Sequence, residues 1–208
     1  MTDVGLFEAM YSLQQITRYK ADPVPKATLA RLIEAATKAP SGGNQQPWEF
    51  IAITDRDLVR QVGELYRDAW LEAVGATPAP NETRVYRAAR YLAHHIAEAP
   101  ALILVCADHT VGSAPYTPGE PIVRGRYGSS IWLAAQNLFL AARALGLGTR
   151  LTTAHLRREA EIKRLLAIPE HIETMALIPV GYPQGRFGTP VRRPAAEVTS
   201  FDRYGNRG

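Results

Sequence analysis

A chain of 208 residues fits one domain, or one domain with an appended arm, and can bury a substantial core. Its composition, 46% hydrophobic and 21% charged, is that of an ordinary soluble globular protein rather than a disordered one. The net charge of +4 comes from Lys and Arg scattered along the chain, which argues against nucleic-acid binding, and the single cysteine, Cys106, excludes an internal disulfide and a thiolate zinc cage.

The N-terminus, Met1 to Gly5, lacks the basic segment and apolar run of a signal peptide. Pro23-Val24-Pro25 punctuates the end of an N-terminal segment, and Pro25 suits the first turn of a helix, where a missing N–H costs nothing. Leu29, Leu32, Ile33 and Ala36 then follow helical spacing up to Pro40. After the loop closed by Pro47, residues 49–54 read as a strand. Asp55 or Asp57 is placed to cap the following helix, with Leu58, Val62, Leu65 and Tyr66 on its inner face.

A break rich in Pro, Ala and Gly, residues 75–80, precedes a helix over about 81–98 that Pro100 ends. Residues 101–107 form a short apolar run flanked by breakers, which predicts a buried strand. Residues 111–127 carry three prolines and three glycines without apolar periodicity; a loop of this length in a compact domain is usually functional or mobile. Ser129 or Ser130 is a candidate cap for a helix in which Ile131, Ala134, Ala135, Leu138, Ala142 and Leu145 recur at helical spacing, stopped by Gly146 and Gly148. Its Gln136, Asn137 and Arg143 argue against a membrane span, so a cytoplasmic domain is expected.

Short strands are expected around 149–153 and 175–181, with a helix over about 158–166 between them. The tail, residues 183–208, has too few apolar residues for its own core and carries an extended patch at 196–199. The fold class is therefore α+β, helices around a sheet, with one domain over 1–182 and a C-terminal extension over 183–208.

Hydrolytic and metal chemistry find little support. His94 and His95 are adjacent in a helix and point about 100° apart, so they do not chelate one ion as an i, i+4 pair would. No HExxH, GxSxG or Walker loop occurs, and no side chain stands out as a catalytic acid, base or metal ligand. The loop Pro40–Trp48 is different. Its two glycines let main-chain N–H groups approach a planar ligand closely, and Ser41, Asn44, Gln45 and Gln46 offer short hydrogen-bonding groups. Those residues fit either a flat polar ligand or an ordinary helix-to-strand turn.

The run from Ala36 through Ala39-Pro40-Ser41-Gly42-Gly43-Asn44-Gln45-Gln46-Pro47-Trp48 into an aliphatic strand resembles the signature of the nitroreductase-like flavoproteins. Further blocks are similar to the same superfamily in the same order: Asp22–Pro25, the helix Ala134–Ala142 with Ala144–Gly148 after it, Val180–Pro183, and Val191–Pro194. The resemblance implies a central, mostly antiparallel sheet flanked by helices, and a homodimer that exchanges its C-terminal arm and binds FMN at the interface.

By the same resemblance, Pro40, Ser41, Gly42, Asn44 and Gln46 lie along the flavin ring. Thr152, Thr153 and Ala154 come close to flavin N5, and Arg192 and Arg193 hold the phosphate. The N-terminal members are Gln14, Gln15, Thr17 and Arg18, where the superfamily usually carries a basic stretch of the form Arg-Arg-Ser-x-Arg. Neutral groups in those places imply weaker FMN binding, or a related cofactor such as a deazaflavin. Electrons are expected to pass from NADH or NADPH through the flavin to a nitroaromatic, quinone or similar flat acceptor. Tyr66, Trp70, Tyr116 and Tyr127 are candidate walls for that acceptor. The alternatives on the same fold are dehalogenation, ring dehydrogenation or flavin fragmentation, and a non-catalytic flavin-binding protein.

Overall fold

The computed structural model describes residues 4–112 and 115–207. Met1–Asp3 of the N-terminal segment, Ser113 and Ala114 of the long loop, and Gly208 of the extension lie outside the described residues. Among the described residues, β1 (Trp48–Ile53), β2 (Ala101–Asp108), β3 (Gly148–Thr149) and β4 (Ile172–Gly181) form one sheet in the order β1-β2-β4-β3. Every pairing is antiparallel, and a bulge interrupts the β2–β4 register between Val105 and Cys106.

The two central strands are covered on both faces, so they read as continuous apolar runs rather than as alternating patterns. Successive side chains still point to opposite faces. Ala101, Ile103, Val105 and Ala107 of β2 enter one core, whereas Leu102, Leu104 and Cys106 enter the other. Burial pushes the Cys106 thiol up to about 12, so at neutral pH it behaves as a small apolar residue.

Helices α2 (Lys26–Ala36) and α5 (Gly128–Ala144) cover the first face, through Leu29 and Leu32 of α2 and Ile131, Ala134 and Leu138 of α5. Helices α3 (Arg56–Val74), α4 (Arg84–His95) and α6 (Glu159–Leu165) cover the second, through Val59, Val62, Leu92 and Ile162. Asp55 caps α3, its carboxylate accepting from the Leu58 N–H at 2.9 Å. Gly63 lets α3 approach the 3-10 turn Ile96–Glu98, since a Cβ there would stand 2.6 Å from the Ala97 Cα.

Several boundaries differ from the sequence expectations. Thr83 caps α4, which starts three residues later than expected and tightens into the 3-10 turn before Pro100. Helix α5 begins at Gly128 with Tyr127 as an N-cap that makes no side-chain cap bond, so Ser129 and Ser130 lie inside its first turn rather than at the cap. The strand expected over 149–153 shrinks to β3 and an isolated bridge from Thr152 to Leu177. The helix expected over about 158–166 is α6, preceded by a 3-10 turn, Ala154–Arg158, that the expectation lacked. The patch expected to be extended at 196–199 lies largely in a short helix, α7 (Ala195–Val198). Helix α1 (Leu6–Ser12) was not foreseen; it packs on α5 while leaving Leu6, Phe7 and Tyr11 exposed. No helix among the described residues is long and apolar enough to cross a membrane.

Candidate functional site

The Pro40–Trp48 loop sits where α2 hands over to β1, on the face covered by α5. Gly43, Asn44 and Gln46 adopt φ of 57°, 53° and 50°, the left-handed region that is costly for residues with a side chain. Local bonds sustain this shape. Ser41 Oγ accepts from the Gln46 N–H at 3.0 Å, and Gln46 Nε2 donates to the Asn44 side-chain oxygen at 3.3 Å. The Gly42 N–H donates to Ser130 Oγ at 3.2 Å, fixing the loop to the first turn of α5. Two non-glycine residues in strained conformations within an exposed loop mark a shape that the surrounding structure has to enforce.

A second segment runs beside the end of the sheet. The Ile16 N–H donates to the Thr149 carbonyl at 2.9 Å, and Gln15 Oε1 accepts from the Leu151 N–H at 2.7 Å. These bonds align residues 14–18 with 149–153. Thr152 is buried and pairs with Leu177, whereas Thr153 is exposed just before the 3-10 turn. Ala154 is half-buried in that turn. Gly148 admits the close approach of Ile16, whose side chain would lie 2.8 Å from an added Cβ.

A cavity of about 510 Å³ opens beside Gln15, between α1, α5 and the extension. Its apolar walls are Met10, Tyr11, Leu13 and Pro190; Gln15, Gln136, Thr189 and Arg192 supply its polar groups. Gln136 stands six residues beyond Ser130 on α5, about 9 Å along the helix axis at 1.5 Å per residue. The strained loop and the cavity thus lie at two points along the same helix, joined by an exposed stripe that includes Trp132 and Leu133.

The structure brings together Gln15 and Arg192 but not all the expected partners. Gln14 packs beside Gly188, outside the cavity lining. Thr17 is half-buried, and Arg193 is exposed outside that lining. Arg18 stacks over the Tyr91 ring at 3.5 Å, and Tyr91 in turn stacks on His95 with centroids 4.2 Å apart. Sequence reasoning missed Gln136, Met10 and Tyr11, because nothing in a helical repeat says which exposed positions border a hollow built from three segments.

The expected acceptor walls need correction. Tyr66 and Trp70 are 3% and 7% exposed and belong to the core on the opposite face of the sheet from the loop. Burial raises the Tyr66 phenol above its ordinary range, against the opposing charge of Arg150 and a hydrogen bond with Thr152. Tyr127 is also buried; its hydroxyl donates to the Val111 carbonyl and its ring meets His109 edge-on at 5.3 Å. Helical spacing placed these rings on an inner face without telling core from cleft. Tyr116 borders a separate hollow of about 300 Å³ with His109 and Arg126, and its hydroxyl lies 3.3 Å from Glu170. No cluster of His, Cys, Asp or Glu able to hold a metal occurs among the described residues.

Residues 16–182 match the profile of the nitroreductase family. The chain belongs to the nitroreductase family. It is 30% identical over 181 residues to an iodotyrosine deiodinase of Thermotoga neapolitana, covering 86% of this chain and 88% of that one. It is 26% identical over 196 residues to an NADH dehydrogenase of Thermus thermophilus, covering 82% of each chain. Among solved structures, an oxidised iodotyrosine deiodinase bound to FMN and 3-iodo-L-tyrosine superposes with a TM-score of 0.70 at 26% identity, covering 97% of this chain and 100% of that one. The nitroreductase fold, with its antiparallel sheet and flanking helices, is the architecture described above.

The chemistry of the donor set fits FMN. The strained loop offers amide and hydroxyl groups suited to a flat heterocycle, and the cavity offers a guanidinium and two carboxamides suited to a polar chain ending in phosphate.

Proposed function

We propose that this nitroreductase-family protein is an FMN-dependent NAD(P)H oxidoreductase acting on a flat acceptor such as a nitroaromatic or quinone. The observation that carries the reading is the pairing of a strained, amide-rich loop at Ser41–Gln46 with an Arg192-bearing cavity farther along α5. Bound flavin supplies the two-electron redox chemistry; the chain supplies position and electrostatics.

In this reading Ser41, Gly42, Asn44 and Gln46 hold the ring edge, with Pro40 setting the turn before it. The exposed Thr153 and its neighbours Thr152 and Ala154 border the opposite ring edge. Gln15, Gln136 and Arg192 take the ribityl and phosphate end, and Gln14, Thr17, Arg18 and Arg193 stand around it. A ring lying against α5 would keep one face open to a nicotinamide and then to the acceptor. No side chain has to act as acid or base.

The same reading makes the protein a homodimer. Exposed Leu6, Phe7, Met10, Trp132 and Leu133 form an apolar surface beside the cavity, and Val191 and Tyr204 of the extension are 95% and 98% exposed. Burial of such side chains against a second copy, with residues 183–208 reaching across, would remove them from water. The extension begins on its own chain, where the Gln184 N–H donates to the Arg18 carbonyl and Arg143 lies over the Phe187 ring.

Purified protein should carry a flavin absorbance spectrum, release FMN on denaturation, oxidise NADH or NADPH when a quinone is added, and run as a dimer by light scattering. Colourless protein that takes up no added FMN refutes the proposal. A second reading, reductive dehalogenation, is favoured by the 30% identity to an iodotyrosine deiodinase. Halide release from a halogenated phenol by the reduced protein separates it from quinone reduction.

A further inference from the structure

Gln45 occupies the middle of the strained loop and is half-buried, whereas Asn44 and Gln46 beside it are exposed. Its carboxamide lies beside two glycines that are distant in sequence. A Cβ on Gly43 would stand 3.6 Å from Gln45 Nε2, an ordinary contact, but a Cβ on Gly112 would stand 2.7 Å from Gln45 Oε1 and 3.1 Å from its Cδ. The carboxamide therefore fills the space that a side chain at 112 would need. Gly112, at φ 95°, is fixed from its own segment, since the neighbouring Val111 carbonyl accepts from the hydroxyl of the buried Tyr127.

The residues on either side of Gln45 have left-handed backbone, φ 53° and 50°, so the loop keeps its shape only while its surroundings enforce it. Ser41 Oγ and Ser130 Oγ do so by accepting from the Gln46 and Gly42 N–H groups. Gln45 supplies a support of another kind. It is wedged by shape against residues 109–112, a segment that follows β2 and belongs to none of the elements from which the loop springs.

We infer that Gln45 is a positioning residue for the ring site: lodged against Gly112, it passes the placement of residues 109–112 to the strained loop, and so to the groups that hold the flavin ring edge. The inference rests on the flavin reading above and deepens it, because it gives Gln45 a role exerted through its neighbours Asn44 and Gln46 rather than by contact with the ring.

The test is a double-mutant cycle on FMN binding by the full-length protein freed of endogenous flavin, read by flavin fluorescence. Gly112→Ala should lower FMN affinity by about tenfold, since the methyl displaces the carboxamide and the loop with it. In the Gln45→Ala background the same change should cost less than about threefold, because the methyl then has room. The backbone strain of alanine at this φ is present in both backgrounds and cancels in the comparison. Gln45→Ala alone should weaken FMN binding severalfold while the flavin-free variant melts with the wild type. Gln45→Met, which keeps the length of the side chain without the amide, should stay within about threefold of wild-type affinity. These two variants test the inference even if Gly112→Ala fails to fold. Equal losses from Gly112→Ala in both backgrounds, or unchanged FMN affinity in Gln45→Ala, overturn the inference and leave the flavin reading intact. A loss in Gln45→Met as large as in Gln45→Ala means that the amide itself holds the flavin, and overturns it too. Wild-type protein that binds no FMN removes the flavin reading, and this inference with it.

Discussion

The Nε2 atom of His109 lies 2.9 Å from the Glu173 carboxylate, and both side chains are buried. Glu173 also accepts from the Gly125 N–H at 3.1 Å and stands 3.8 Å from Arg124. Arg124 reaches Glu159 as well, and Glu159 accepts from the Thr174 N–H and hydroxyl at 3.0 and 2.9 Å. Two carboxylates thus fasten both ends of the 109–127 segment to the start of β4. The fastening extends toward the candidate site, because a Cβ on Gly112 would stand 2.7 Å from Gln45 Oε1 and 3.0 Å from the Tyr127 hydroxyl.

Glu173→Ala should therefore cost about 1–3 kcal/mol, the range for leaving a buried polar group without its partner, because His109 and the Gly125 N–H lose their acceptor. Urea unfolding measures the loss, and limited proteolysis should cut within 109–127 faster than in the wild type. A stability change within experimental error would mean that the segment is held by its apolar contacts alone.

Acid should weaken the fold in a defined window. His155 is fully buried with neither ring nitrogen hydrogen-bonded, and burial pushes its pKa down to about 4 despite the opposing charge of Glu159. The unfolded chain binds this proton near its ordinary value of 6.5, so it holds more protons than the folded chain between the two values. Stability is then fully present above 6.5 and falls as pH drops toward 4, by on the order of 3 kcal/mol at 1.36 kcal/mol per unit. Burial opposes ionisation of Glu159, but hydrogen bonds with Arg124 and Thr174 outweigh it and hold the carboxyl below its usual range, so its contribution is lost on acidification too. His155→Leu should flatten the dependence of the urea midpoint on pH above 4.5; an unchanged slope would exclude this histidine as its source.

Gly63→Ala should destabilise the protein although alanine is the better helix former. The added methyl would meet the Ala97 backbone at 2.6 Å, and overpacking of that kind costs about 1–3 kcal/mol against a propensity gain of about 1. Thermal melting distinguishes the two effects by sign.

Loss of the Ser130 hydroxyl should loosen the strained loop without unfolding the domain. Ser130→Ala removes the acceptor of the Gly42 N–H, a bond worth about 0.5–1.5 kcal/mol. Riboflavin and FMN affinity should fall together by severalfold if the loop holds the ring edge, as proposed above. A loss confined to FMN would place Ser130 at the wrong end of the site.

Arg193→Ala should retain more FMN through gel filtration than Arg192→Ala does. Only Arg192 lines the cavity, although the two are adjacent in sequence. Equal loss from both variants would show that the extension repositions Arg193 in the assembled protein.

The sequence by itself determined the α+β class, the main elements and the loop that carries the family signature. Those features depend on local causes: helical spacing in α2 and α5, the Asp55 cap, an unbroken apolar run in β2, and glycines where left-handed backbone is needed. Tertiary structure alone decided which side of the sheet each ring occupies and which polar groups share a hollow. Tyr66 and Trp70 have the pattern of an inner helix face whether that face meets a core or a ligand, and only their place in the buried cluster that also holds Leu102 and Leu104 makes them core. Arg192, Gln15 and Gln136 are distant in sequence and become neighbours only because the Gln15–Leu151 bond, the course of α5 and the return of the extension bring three segments to one cavity.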